Sequence, residues 1–380
     1  MNTNTAVPAV PTPASLARLG FLMACVATLA ACGGGSGSDA SSSPTPAPSP
    51  AAPAPSPAST AGDLSSTISS TTYTSGSHEA AAYAALNAAR LAGGFGTLAQ
   101  NSALDNEAQN MATYASVNYT TTSSVSGGTN FDAVKMAATD SNGNEFAHVQ
   151  TSGYTDYTGY LPSNRATYYG YPSMDVSEAA TTMQTVIDSS STSTPDATAE
   201  GQLCVSGLLG SPGHRQVMMD PRYRDVGLGY VTLTPVTNTS LQDTFYYSDC
   251  YVATGAESTT YSSTGRATAA TGWVGVFPAD GATVSSTGDG HGYGYAPSVT
   301  IDSSLTLTTT SFTIKDSSGT VIPTTLNGSN TITGTGWNNW AFAVPNSTLT
   351  AGASYIVTYV GTASDGTSIS KSWSFKTPAN

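Results

Sequence analysis

The sequence predicts an α+β domain followed by an all-β domain, and three observations carry that prediction. Residues 77–91 and 102–118 repeat apolar side chains at helical spacing, and residues 211–230 pass from a helix start through a turn into a strand. After Trp273 the chain is made of short β-branched segments separated by turns. A Ser/Thr/Gly stretch at 255–271 divides the two parts, so the domains are set at 70–254 and 272–380.

The 380 residues hold 11 Lys and Arg against 24 Asp and Glu, a formal net charge of −13. Phosphate binding needs clustered cations, so nucleic acid is excluded as a partner. Richness in Ser, Thr, Gly and Ala fits an exported bacterial surface protein. Residues 1–32 read as a signal peptide: Arg18 precedes the apolar run Leu19 to Ala31, which is short for a membrane span. Its end, Leu29-Ala30-Ala31-Cys32, resembles a bacterial lipobox. That resemblance implies cleavage before Cys32, lipidation of its sulfur and a membrane as partner, with an ordinary signal-peptide cut as the alternative. Gly33 does not resemble an inner-membrane retention signal, so the expected location is the outer membrane or cell surface. Residues 33–69 are a Ser/Pro/Ala-rich tether with too little apolar surface to offset the entropy of ordering.

In the first domain, Tyr83, Leu86 and Arg90 share one face of a helix that Gly93-Gly94 should end. Leu104, Ala108, Met111 and Ala115 fall at i, i+4, i+7 and i+11, and Ser102 with Asp105 resembles a capping arrangement. Ser211 and Pro212 form a helix start, with the serine hydroxyl as cap and proline at the first helical position. His214 falls in that first turn. Asp220-Pro221 stops the helix, and Val226-Gly-Leu-Gly-Tyr230 alternates like a strand.

The block from Ser211 to Tyr230 resembles the signature of the CAP superfamily (cysteine-rich secretory, antigen 5 and pathogenesis-related 1 proteins) in its bacterial form, S-P-x-H-R followed by P-x-x-x-x-V-G-x-G. Leu86-Asn87-x-x-Arg90 and Leu104-x-x-x-Ala108 are similar to its opening helices, although a histidine common in the second helix is replaced by the run Gln109 to Ala112. The resemblance implies a three-layer α/β/α sandwich. The order His148, Gly159, Asn164-Arg165, Gly170-Tyr171, Glu178 follows the family as well, and implies that His148, Glu178 and His214 converge on one cleft. These match three positions of a two-histidine, two-glutamate cavity, and Glu200 lies in the neighbourhood of the fourth.

Two imidazoles and a carboxylate with a position open to water are the ligand set of many zinc sites, so a divalent metal, zinc first, is one reading of the cleft. The gaps, 178 − 148 = 30 and 214 − 178 = 36, are not a compact metal motif, and a metal-free hydrogen-bonded His/Glu cluster is the other reading. The function implied is an extracytoplasmic binding module for a small lipophilic molecule or a cell-surface protein. The alternatives are a metal-dependent hydrolase using Glu178 as ligand or general base, and a structural display protein.

Ser211 and His214 could pair as nucleophile and base, but a capping role commits the serine hydroxyl to backbone N–H groups. Cys25 leaves with the signal peptide and Cys32 is the lipid site, so Cys204 and Cys250 remain to form a structural disulfide in an oxidising compartment. His78, at a helix start, is expected in solvent, and His291 belongs to a Gly/Tyr-rich loop.

The second domain should place strands at 298–301, 311–315, 340–344, 355–360 and 370–376. The run from Pro278 to Val284 and the closing Trp373-Ser-Phe-Lys-Thr377 resemble bacterial Ig-like domains, which implies a β-sandwich serving as spacer or adhesin. No cysteine pair spans its sheets, so its core alone must hold it.

Overall fold

Helix α1 (His78–Gly93) starts where Ser77 Oγ accepts from Ala80 N at 3.2 Å and ends at Gly94, whose φ of 85° suits a residue without a Cβ. The chain then forms β1 (Ala99–Gln100) and α2 (Ser102–Asn118). The cap of α2 is Asn101, accepting from Ala103 N at 2.9 Å, and not Ser102. Asp105 bonds instead to Tyr73 Oη, Gln100 Nε2 and, at 3.0 Å, Leu228 N, tying the helix to its strand. Next come β2 (Thr120–Thr122), β3 (Thr129–Phe131), α3 (Ala133–Ala137), α4 (Pro162–Tyr168), β4 (Val176–Asp188), α5 (Ala197–Gly210) and α6 (Pro212–Met218). Strands β5 (Asp225–Thr232), β6 (Val236–Asn238) and β7 (Asp243–Gly255) complete this part.

This computed structural model describes residues 64–122, 128–256, 273–284, 296–328 and 338–379. The signal peptide with Cys32, the tether as far as residue 63, nearly all of the 255–271 stretch and His291 lie outside the described residues.

Strands order β1-β5-β7-β4, with β6 also on β7. The β1–β5 pair is parallel and the β5–β7 and β7–β4 pairs antiparallel, with Glu178 opposite Ala253. Alternation sends Ala179, Met183, Leu228 and Val252 to one face, where they pack with α1, α5 and α6 through Leu86, Cys204, Leu208 and Val217. Tyr251 and Ala253 face the other way, onto Leu104, Ala108, Met111 and Ala115 of α2 and Ala166 of α4. The first domain is therefore the expected helix–sheet–helix sandwich, and the apolar stripe read for α2 is its buried face. Cys204 on α5 and Cys250 on β7 are bonded, so the expected disulfide is borne out and fastens one helical layer to the sheet.

Gly227 and Gly229 explain the alternating glycines of the strand. A Cβ at Gly227 would stand 2.0 Å from the backbone carbon of Leu104, and one at Gly229 2.2 Å from that of Ala108. Helix α2 thus lies directly on the β5 backbone. Gly227→Ala should cost about 2–3 kcal/mol, because the obstacle is helix backbone that cannot rotate away. Denaturant unfolding checks this, and a midpoint unchanged from wild type would contradict the close approach.

The second part contains β8 (Gly275–Phe277), β9 (Ala282–Thr283), β10 (Ser298–Thr300), β11 (Leu307–Asp316), β12 (Val321–Ile322), β13 (Thr324–Gly328), β14 (Trp340–Pro345), β15 (Ser354–Ala363) and β16 (Ser368–Lys376). All five expected segments are strands. They form two sheets, β13-β14-β10-β8 and β12-β11-β15-β16-β9, over a core that includes Val299, Ile314, Val357, Tyr359 and Phe375.

The two parts meet. Strand β8 turns Val276 toward the second core and Phe277 toward the first. Trp273 donates to Gly94 O at 2.9 Å and packs edge-on against Phe95, with centroids 5.6 Å apart. Arg215, the arginine of the S-P-x-H-R run, is buried; its Nε donates to Leu209 O at 2.8 Å and its Nη1 reaches Ala296 O and Ser298 Oγ. Its guanidinium also lies 4.2 Å from the Phe277 ring centroid. No helix among the described residues is long and apolar enough to cross a membrane.

Candidate functional site

Strand β4 carries Glu178 onto the face of the sheet covered by α2 and α4. His148, from the segment leading to α4, places Nδ1 2.9 Å from Glu178 Oε1. Arg165 on α4 donates from Nη2 to Glu178 Oε2 at 2.7 Å and from Nε to Glu107 Oε1 at 2.8 Å. Glu107 stands on α2 between Leu104 and Ala108, on the buried stripe. A chain His148–Glu178–Arg165–Glu107 results, three of its members fully enclosed and the imidazole side chain 12% exposed. Only the histidine opens it to solvent.

Burial alone would raise the Glu178 carboxyl, but the Arg165 guanidinium and the His148 hydrogen bond outweigh it and hold the group below the ordinary carboxylate range. Glu107 goes the other way. Burial pushes it well up, the negative charge of Glu178 adds to that, and Arg165 offsets only part. One guanidinium between two enclosed carboxyls thus drives their proton affinities apart, with Glu107 raised and Glu178 lowered.

A further acid lies on β7. Asp249 accepts from Thr182 Oγ1 at 2.9 Å, and burial pushes its pKa up to about 8. In the unfolded chain this group ionises near 3.9, so the native state binds the extra proton between roughly pH 4 and 8 and loses stability as pH rises through that window. Asp249→Asn should remove a slope of about 1.4 kcal/mol per pH unit. Thermal melts from pH 4 to 9 check this, and parallel curves for variant and wild type would refute it.

Of the three residues expected to converge, the structure joins His148 and Glu178. His214 stands in the first turn of α6. The buried side chains of α6, Val217 and Met218, pack on the sheet face opposite Arg165, although the helix approaches β4 where Thr254 Oγ1 lies 3.5 Å from Val217 O and 3.4 Å from Ser177 O. Ser211 is the N-cap residue of α6, but its side chain makes no cap bond, contrary to expectation.

Each Glu178 oxygen carries a hydrogen bond, and the guanidinium on Oε2 opposes a cation placed beside it. Among the described residues no three His, Cys, Asp or Glu side chains are grouped to hold one.

Glu200 lies in a second cluster, accepting from Thr185 Oγ1 at 3.0 Å and Tyr230 Oη at 2.7 Å and facing His78 Nε2 at 3.0 Å. Burial would raise its carboxyl, but these hydrogen bonds hold it below the ordinary range. His78, expected in solvent, instead stacks on Tyr230 with centroids 3.7 Å apart, because α1 begins directly over β5 and α5. The sequence reading missed Glu107, a carboxylate on an apolar helical stripe and so a visible sign of a buried partner, and gave no role to Arg165.

With this geometry in place, comparison with known proteins adds a class. Residues 83–251 match the cysteine-rich secretory protein family, CAP. The match runs from within α1 to within β7 and supports placing that domain in the CAP superfamily, which suggests an extracellular-type module. No curated protein matches the chain.

Proposed function

We propose that the chain is an exported bacterial lipoprotein whose CAP-type domain binds a small lipophilic molecule or a surface partner, carried with an Ig-like domain beyond the Ser/Pro/Ala-rich segment that follows Cys32. The observation that supports binding over turnover is the closed ion chain. Both Glu178 oxygens are engaged, one by a guanidinium that lowers the basicity of the carboxylate, and among the described residues no serine or cysteine is hydrogen-bonded to His148. His148 is the member that can meet a ligand. The disulfide agrees with an oxidising compartment.

Native mass spectrometry of the purified protein, followed by fatty-acid and sterol titrations of wild type and His148→Ala, tests the binding reading. A copurified lipophile with affinity reduced in the variant is the expected result. Stoichiometric zinc binding that disappears in Glu178→Gln, together with hydrolysis of an ester substrate, would replace this reading with the hydrolase. For the anchor, Cys32→Ser should abolish palmitate labelling and move the protein from the membrane to the soluble fraction. Unchanged fractionation would refute lipidation at Cys32.

A further inference from the structure

Between His148 and α4 the chain makes a loop, 151–159, reading T-S-G-Y-T-D-Y-T-G. Its ends are tied at Gln150 N to Tyr160 O, 3.1 Å, and Arg165 Nη1 donates across the same neck to His148 O at 3.1 Å and Tyr160 O at 3.3 Å. The buried ion chain therefore also clamps the base of this loop.

Its body is fixed by an internal post and a helical ladder. The enclosed Gln150 side chain accepts from Thr158 N at 2.7 Å, and its amide nitrogen donates to Asn110 Oδ1 at 2.8 Å. Along α2, Asn110, Tyr114 and Asn118 stand four residues apart and each holds the loop. Asn110 Nδ2 donates to Asp156 O at 3.0 Å, Thr151 N donates to Tyr114 Oη at 2.9 Å, and Asn118 Nδ2 donates to Thr155 O at 3.0 Å. Asp156 sits at φ 65°, a strained conformation for a residue with a side chain, held by these bonds. Gly159 lets the loop lie on α4, since a Cβ there would come 2.9 Å from Arg165 N.

So tightly ordered a loop nevertheless turns tyrosines outward. Tyr154 is 47% and Tyr157 40% exposed, and Tyr168, 43% exposed at the end of α4, packs edge-on against Tyr169, which lies beside Thr158. Rigid tyrosines among Ser, Thr and Gly supply contact area at low entropic cost, as in antibody-like recognition loops. The charge in the loop is Asp156. The ammonium of Lys135 near Tyr154 is bonded to Asn118 O at 2.9 Å, and the guanidinium of Arg165 is enclosed. Anionic ligands are therefore disfavoured, as the net charge of −13 also requires.

We propose that loop 151–159, with Tyr168, is a recognition platform for a neutral oligosaccharide chain. The electron-rich tyrosine faces would stack on sugar C–H faces, and Asp156 and the tyrosine hydroxyls would bond to sugar hydroxyls. Sugar affinity reads this platform and fatty-acid affinity reads ligand binding at His148, so either reading can fail without the other.

The test titrates the folded, disulfide-bonded protein with chitohexaose, maltohexaose, heparin and polylysine by calorimetry. Wild type is expected to bind a neutral hexasaccharide, and Tyr154→Ser/Tyr157→Ser to bind it about tenfold or more weakly, with fatty-acid affinity unchanged. Asn110→Ala keeps the tyrosines but frees the loop, and should weaken sugar binding as well. The proposal is overturned if neither neutral hexasaccharide binds at millimolar concentration, if the double variant binds as wild type does, or if binding is confined to heparin. Binding confined to polylysine would overturn it in favour of a cationic protein partner.

Discussion

Arg165→Met is expected to destabilise the first domain by about 3–5 kcal/mol, because it leaves two enclosed carboxyls facing each other with no cation between them. Both Glu107 and Glu178 are fully enclosed at their side chains, so water cannot take over the lost bonds. The melting temperature should fall by about 10 °C. Loop 151–159 should also become a protease target, since the same guanidinium holds His148 O and Tyr160 O. Adding Glu107→Gln and Glu178→Gln to the variant should restore much of the loss, because no buried charge is then left alone. Acid should shrink the difference between wild type and variant. The Glu178 pKa is depressed in the fold, so its pairing stabilises above the unfolded carboxylate pKa and that contribution is lost as pH falls through the folded value. A midpoint for Arg165→Met within about 1 kcal/mol of wild type would show that the ion chain is not what holds α2, α4 and β4 together.

Removing the disulfide is expected to cost about 4 kcal/mol, given the 46-residue separation between Cys204 and Cys250. The bond restricts the unfolded chain across α6 and β5, and in the native state it pins α5 to the central strand β7. Cys204→Ala/Cys250→Ala, or reduction of wild type, should lower the melting point by roughly 10 °C. Equal melting points for the oxidised protein and a reduced sample with both thiols titrated would contradict this. A reducing cytoplasm would withhold that stability, in keeping with an exported protein.

These two expectations differ in how far the sequence foretold them. Cys204 and Cys250 could be paired by elimination, because a disulfide needs only two cysteines and an oxidising compartment. The Arg165 chain could not be assembled that way, since Glu107, Arg165 and Glu178 come from three elements and charge pairing has no sequence period. A carboxylate inside an apolar helical stripe was the clue available. His78 and Ser211 show the opposite limit: their local settings at helix starts pointed to a solvated ring and a capping hydroxyl, and neither was found. Packing against Tyr230 decided the first, while the unused Ser211 cap has no account in the local geometry.

What the sequence determined by itself is whatever follows from spacing along a few turns or strands. It placed α1, α2, the α6-to-β5 passage and five strands of the second part, because side-chain period and terminating residues act locally. Tertiary structure alone decided which charges meet, why Gly227 and Gly229 must lack side chains, how Arg215 reaches Ala296 and Ser298, and that a tyrosine loop is clamped beside His148. Those outcomes depend on distances between segments far apart in the chain, which are fixed only when α2 settles on β5 and the layers close around the sheet.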